Sequence, residues 1–406
     1  MRTRPLLALC LAAALLLTTG CWDMRELNQL ALVVAVGIDK ADTPGRYLVS
    51  VQIARPGSKG KGKGGGQGGA GSGGAVYTAS ADGDTIFAAI RNLAQFTSRR
   101  LMWAHNNVIV IGESLAREDI TPVIDFFTRN QELRMRTWIV VARDSDAKEV
   151  VAAKTGLEDI PADSISALFR YAQLPGETVR TDMNEVAASF FSPDLNPVIS
   201  AMQLYERIVP PPGEQSQEHG GLLQVEMRGT ALFYKRRLVG YVDSDAGRGL
   251  LWLRRQMRNT VFSVGCPGTP GKNMAIEVRS PQVEIQTNVS GPVPVFNVSI
   301  WTRGWLMEQD CVTNPMSTAD LKTAAEHEFE NHIRTSIQLA LTAVQKELKT
   351  DVLRFGELVH REHPAWWRQN KSHWDDIFPR SVVKLSVTAE IPKMGLYTRP
   401  MNFHYH

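Results

Sequence analysis

At 406 residues the chain is longer than one hydrophobic core usually serves, and a guide of about 150 residues per domain implies two or three domains. Hydrophobic residues make up 43% and charged residues 21%, which excludes a disordered or fibrous chain. The formal net charge of +3 includes Arg2 and Arg4; without residues 1–20 acids and bases nearly balance, so nothing in the charge points to nucleic acid.

The chain opens with an apolar run from Leu6 to Leu17. As a helix it spans about 18 Å against a bilayer core of about 30 Å, too short to cross. Arg2 and Arg4 precede it and small residues follow, the three-part layout of an export signal over residues 1–20. Gly20 directly before Cys21 fits a bacterial lipoprotein signal. There the thiol receives a diacylglyceryl group, the chain is cut between Gly20 and Cys21, and the new amino group takes a further acyl chain, an N-palmitoyl group. Thr18 departs from this pattern, which usually carries Leu at that place. The competing readings are an uncleaved anchor and a plain cleaved signal. No later stretch approaches the roughly 18 apolar residues a spanning helix needs, so membrane attachment is expected at the N-terminus alone.

Setting aside Cys10 and Cys21 leaves Cys266 and Cys311, either a candidate disulfide formed outside the cytoplasm or two separate buried thiols. Without a Cys-x-x-Cys pattern they make no structural zinc site.

After Cys21, "LNQLALVVAVGIDKA" and "RYLVSVQIARP" read as two paired strands around the turn at Pro44-Gly45. "GSKGKGKGGGQGGAGSGG", residues 57–74, has almost no side chain to bury and is expected to be a flexible loop. Its lysines lack the strand, spacing and Lys-Ser/Thr of a phosphate loop. Ser80 to Phe96 has helical spacing, with Asp82 or Asp84 as a cap, and "HNNVIVIGE" is a short buried strand. "DITPVIDFFTRN" is a helix entered through Pro122, and "RTWIVVARD" the next strand, so residues 80–144 alternate as an α/β layer. Shorter helices follow at "DAKEVVAAK" and "PADSISALFRYAQL", then an extended exit at "FFSPDLNPVIS". The polar, proline-rich residues 209–221 divide an N-terminal region, 21–208, from a C-terminal domain, 222–398.

In the second part "RGTALFYKRRLVGYV" predicts a hairpin about Lys235-Arg236, and strands follow at "MAIEVRS", "VEIQTNV" and "VFNVSIWTRGWLME". From Ala319 to about Lys349 an apolar stripe predicts one long helix lying across the preceding sheet, and "VVKLSVTAEI" is a closing strand. The fold class is therefore mixed α/β (α+β) and multi-domain: an N-terminal alternating α/β region and a C-terminal antiparallel sheet with a long packed helix.

His327 and His332 on that helix are five apart and cannot share a face as zinc ligands, so they and Glu326, Glu328 and Glu330 are expected to line a solvated face, and no metal is predicted. The cluster of His360, His363, Trp366, Trp367, His373 and Trp374 reads as a packed aromatic corner in preference to a ligand cage or partner surface. No nucleophile elbow, Cys-His signature or dinucleotide fingerprint is present, and the adjacent Asp375-Asp376 make no acid/base pair, so neither a catalytic residue nor a cofactor is assigned.

These residues carry a resemblance. Cys21-Trp22-Asp23, Arg25-Glu26-Leu27 and "ALVVAVGIDKA" resemble the opening of the Ger(x)C spore-germination lipoproteins, the C subunits of nutrient germinant receptors. "SRRLMWAHNNVIVIGESLA", "DFFTRNQELRMRTWIVVA", "GTALFYKRRLVGYVDSDAGRGLLWL" and "DVLRFGELVHREHPAWWRQNKSHWDDIFPRSVVKLSVTAEI" continue it in the family's order. The resemblance implies a non-catalytic subunit of distinct mixed α/β domains. It implies a lipid on Cys21 at the outer face of the spore's inner membrane, and a complex with two membrane-spanning subunits that recognise the nutrient and pass ions. The chain's part is then assembly or signal coupling. The rival from a different class is an extracytoplasmic solute-binding lipoprotein of a transporter.

Overall fold

The structure, a computed structural model, describes residues 29–55, 75–153, 158–172, 174–192, 194–207 and 222–394. The export signal, Cys21, the 57–74 loop and the 209–221 linker lie outside the described residues.

Two sheets organise the chain. The first has nine strands in the order β3 (Val76–Gly83), β2 (Tyr47–Ala54), β1 (Leu30–Lys40), β5 (Val108–Gly112), β6 (Trp138–Arg143), β7 (Val198–Arg207), β8 (Leu222–Tyr234) and β9 (Arg237–Val242), with β4 (Arg100–Met102) paired to the start of β1. β1, β5, β6 and β7 are parallel and both flanks are antiparallel. The parallel strands are nearly all apolar because both faces are covered. Side chains alternate across the pleat, so Ile109, Ile111, Ile139 and Val141 join one core while Val108, Val110, Val140 and Ala142 join the other. α1 (Ile86–Leu93), α2 (Glu113–Glu118), α3 (Thr121–Arg129) and α6 (Met183–Phe191) cover the first face, and α4 (Ala147–Ala152) and α5 (Pro161–Tyr171) the second. Buried Gln52 ties the second pair together, donating to the Val151 carbonyl at 2.8 Å and accepting from the Ala162 amide at 3.1 Å.

The first helix differs from expectation at its start. Residues 80–83 end strand β3, and α1 starts six residues later than expected, capped by Thr85, whose Oγ1 accepts from the Ala88 amide at 3.0 Å. The small alternating residues of "VYTASADG" hide this strand from a reading based on hydrophobic period. Residues 222–242 hydrogen-bond to β7 and complete the first sheet.

Asp39, the penultimate residue of β1, is 2% exposed. Its carboxylate accepts from the Ala147 amide at 2.7 Å and the Lys148 amide at 2.9 Å, so it holds the first turn of α4. Burial pushes the carboxyl up to about 6 against the pull of those two donors. Gly112 on β5 leaves room for it, since a Cβ there would stand 2.0 Å from Asp39 Oδ1.

The second sheet runs β10 (Val261–Cys266), β11 (Thr269–Asn288), β12 (Val295–Gln309) and β13 (Val382–Met394). β10 to β12 are antiparallel as expected, whereas β13 runs parallel to β12. A parallel return needs a crossover, and the long helix supplies it. The two strands expected over 274–288 are one, with a register shift between Arg279 and Gln282, where Ser280 has φ 49° and Pro281 has no N–H to donate.

α7 (Ser244–Leu253) links the sheets, and α8 (Ala319–Leu341) continues through a π-helical turn, Thr342–Glu347. Thr318 caps α8 through the Leu321 amide at 3.2 Å. Ala325, Phe329, Ile333, Ile337, Ala340 and Val344 form its buried stripe against Phe262, Ile276, Phe296 and Val298 of the sheet. On its flank Glu330 and Glu326 accept from the Ala389 and Ile391 amides at 3.0 and 2.8 Å. The carboxylates expected on a solvated face thus satisfy the edge of β13.

Candidate functional site

The tip of the β8–β9 hairpin, Tyr234 to Arg236, stands where the two halves meet. Lys235 takes φ 55°, as a tight two-residue turn requires, and its amide donates to Asn196 Oδ1 at 2.8 Å. Arg236 reaches the N-terminal half, its carbonyl accepting from the Ile120 amide at 3.1 Å and its guanidinium 3.4 Å from Asp119. Tyr234 and Lys235 face the other way: the Tyr234 hydroxyl donates to Asp375, and Lys235 Nζ lies 3.9 Å from the same carboxylate. One residue back, the Phe233 carbonyl accepts from Thr350 Oγ1 at 2.9 Å.

Behind the tip lies Asp351, 4% exposed. Its carboxylate accepts from the amides of Leu353 at 3.1 Å, Phe355 at 3.1 Å and Gly356 at 2.6 Å, and from Trp374 Nε1 at 3.0 Å. Those donors start α9 (Phe355–Glu362), so a single carboxylate caps that helix and pins the aromatic corner. Burial pushes its pKa up, while the four donors oppose that shift. Arg254, at the end of α7, donates to the neighbouring Val352 carbonyl. Desolvation brings its pKa down to about 10, with Glu185 of α6 and Asp351 acting in the opposite sense. The Asp351 carbonyl accepts from Asn196 Nδ2 at 3.3 Å, and His360 Nδ1 is 2.7 Å from Asp194 Oδ2. Residues from both halves are thus interleaved.

The sequence-predicted aromatic corner is brought together here. α10 (Pro364–Asn370) buries Trp367, the short α11 (Trp374–Ile377) buries Trp374, and the two rings meet edge to face at 5.1 Å. His360 stacks on Trp367 at 5.8 Å, and His363 Nε2 is 2.8 Å from Thr287 Oγ1. His373 remains on the surface beside Ser372. This is a packed corner whose polar handles are engaged.

His327 is exposed and pairs with Glu330 at 3.2 Å. His332 is not on a solvated face: its ring packs edge-on against Phe262 at 5.2 Å, 3.6 Å from Asp245, and burial lowers its pKa. Cys266 and Cys311 are joined as a disulfide with Cα atoms 5.5 Å apart, linking the end of β10 to the segment just beyond β12. Among the described residues no three His, Cys, Asp or Glu side chains are grouped to hold a metal ion. Sequence reasoning missed Asp39, Asp351 and Arg254, because each gains its role from segments far away in the chain. The only local sign was Asp351 preceding a helix by a few residues.

A separate groove of about 1380 Å³ runs between α1 and α3 past β4. Phe87, Phe126, Trp103 and Ile90 give it apolar walls, and Arg91, Arg99, Arg100 and Arg129 border it. Arg100 pairs with Glu132 at 3.2 Å and Arg129 with Asp125 at 2.8 Å. Arg91 lies over the Phe87 ring at 4.8 Å, and neither it nor Arg99 has an acidic partner among the described residues.

Fold and junction together define a two-domain α/β protein whose buried polar groups bind its own halves to each other. Residues 23–204 match the family described as "Spore germination protein N-terminal domain", and residues 228–395 match "Spore germination B3/ GerAC like, C-terminal". The chain belongs to the Ger(x)C family of spore germination proteins. It is similar to spore germination protein KC of Bacillus subtilis (strain 168), 26% identical over 98% of each chain. Spore germination protein B3 of the same organism is 23% identical over 96% of each chain, and its putative spore germination protein YfkR is 28% identical over 94% of each. Among solved structures, the crystal structure of the GerBC protein matches with a TM-score of 0.55 at 20% identity, covering 91% of this chain and 100% of that one. At that identity the likeness concerns the fold. Among the described residues no helix is long and apolar enough to cross a membrane.

Proposed function

We propose that this chain is a non-catalytic lipoprotein subunit of a nutrient germinant receptor, serving assembly or signal coupling in spore germination. The observation that carries the reading is the match of two germination-family domains, in order, over most of the chain. The junction supports it. Its carboxylates are taken up by backbone amides and an indole N–H, an arrangement that fixes the geometry between the halves. On this reading Cys21 carries the N-palmitoyl and S-diacylglycerol groups, the body lies on the outer face of the spore inner membrane, and two membrane-spanning subunits are its partners. The Cys266–Cys311 bond suits that extracytoplasmic setting.

The test has two arms. Deleting the gene, together with any paralogue, abolishes nutrient-triggered germination and spares chemically triggered germination; an unchanged nutrient response refutes the role. Cys21→Ser abolishes incorporation of labelled fatty acid and either releases the protein from membranes or leaves an unprocessed precursor; unchanged labelling refutes the lipid site. The rival solute-binding lipoprotein draws on the groove between α1 and α3. Tight binding of a small solute by the purified chain, with germination intact in the deletion strain, would favour it.

A further inference from the structure

The groove's border is placed by the path of the chain. Leu30, the first residue of β1, is in register with Arg100 of β4, and Gln29 lines the groove beside Arg99 and Arg100. From Cys21 to Gln29 is a stretch of eight residues, at most about 28 Å when fully extended. A lipid on Cys21 therefore holds this corner of the domain within that distance of the bilayer. The same corner carries two large exposed aromatic rings, Phe87 at 53% and Phe96 at 62%. Arg91 lies over the Phe87 ring, Arg99 borders the same groove, and neither has an acidic partner among the described residues. An aromatic ring flanked by guanidinium groups suits the headgroup level of a membrane, where the ring enters the acyl boundary and the cations pair with phosphates.

We propose that Phe87, Arg91, Phe96, Arg99 and Arg100 form a docking surface for anionic phospholipid headgroups, by which the N-terminal domain lies down on the membrane to which Cys21 tethers it. The proposal rests on the lipid-anchor reading above and extends it from attachment to orientation. An acyl anchor alone leaves the body free to swivel. A basic aromatic patch within the tether's reach fixes one face toward the bilayer, and the tether supplies the high effective concentration that a few weak contacts need. Electrostatic attraction by two arginines that have no acidic partner among the described residues falls off within about 8 Å at physiological salt, so the contact is short-ranged and salt-sensitive.

The full chain, purified with its native N-terminus, is incorporated in phosphatidylcholine vesicles with and without phosphatidylglycerol, and backbone hydrogen exchange is followed over residues 86–102. The expected result is slower exchange in this segment with phosphatidylglycerol, reversed by added salt, while β10 to β13 exchange identically in both vesicles. Arg91→Glu with Arg99→Glu abolishes the difference, each arginine being worth about five-fold in the docking equilibrium. Phe96→Ser weakens it, and wild-type exchange in β5 and β6 of the same sheet shows that these variants fold. Identical exchange of residues 86–102 in the two vesicle types overturns the proposal. Protection that needs a co-incorporated membrane-spanning partner also overturns it, assigning the surface to protein. The mass of the N-terminal peptide reports acylation separately. An acylated chain without lipid-dependent protection refutes the patch and keeps the anchor; an unacylated chain with protection refutes the anchor and keeps the patch.

Discussion

At the scale of single residues, Asp39 and Asp351 do the same kind of work in different halves. Each is a buried carboxylate that collects N–H groups at a helix start, and each is stabilised by hydrogen bonds yet penalised by burial. For Asp39 the balance lies toward the neutral acid, with a pKa of about 6 against an ordinary 3.8. A raised folded-state pKa gives a contribution that is fully present below about pH 4 and is lost as pH rises through about 6. Asp39→Asn has no such titration. Across pH 4 to 7 the wild-type chain should therefore lose stability relative to this variant, by up to roughly 3 kcal/mol. Urea unfolding at several pH values measures it, and parallel curves for the two proteins would count against the assignment. None of this was legible from "GIDKA", which closes a predicted strand; the amides Asp39 meets belong to residues 147 and 148.

Among the elements, the pairing of α7 with α8 shows packing overriding propensity. Gly249 sits within α7, where alanine would ordinarily favour the helix by about 1 kcal/mol. A Cβ at that position would stand 2.0 Å from the Ser336 carbonyl oxygen and 2.9 Å from the Ala340 Cβ, so the helices touch through the glycine. Gly249→Ala should therefore destabilise the chain by roughly 1–3 kcal/mol, the opposite sign to its helix propensity. Thermal unfolding decides between the two, and a raised Tm would show that α7 yields without cost. Most elements were readable in advance because apolar period and breakers agree: "VIVIG", "IVVA", the stripe of α8 and the Lys235-Arg236 turn each carry their own signal. β3 was not readable, since its stability comes from pairing with β2 along its whole length and not from a hydrophobic period of its own. The direction of β13 was equally hidden, because strand polarity depends on where the crossover helix delivers the chain.

Across the whole molecule the question is whether the two halves move as one. Asp351, Arg254, Asn196 and the hairpin tip interlock residues distant in sequence, so opening the junction would expose several buried polar groups at once. Asp351→Ala leaves three amides and the Trp374 indole N–H without their acceptor, removes a charge that favours Arg254, and should cost roughly 3–5 kcal/mol. It should also separate one unfolding transition into two, seen as a C-terminal step in tryptophan fluorescence ahead of the N-terminal loss of circular dichroism. A single transition at the wild-type midpoint would mean that the halves are joined mainly by the continuous first sheet. If the chain couples a partner's state to the membrane surface, this junction is the element through which the two domains stay in fixed relation.

The sequence by itself determined the two-part mixed α/β architecture, most elements within it and the family, because these depend on local period, breakers and ordered motifs that neighbouring residues carry. Only the tertiary structure decided that residues 222–242 complete the first sheet, that β13 runs parallel to β12, and that Glu326 and Glu330 close an open edge. It alone revealed how Asp39 and Asp351 each organise a helix start. The physical reason is common to all of these: a hydrogen-bond donor finds its acceptor by distance in space, and a chain's order along the sequence does not record which distant segments its folding brings to 3 Å.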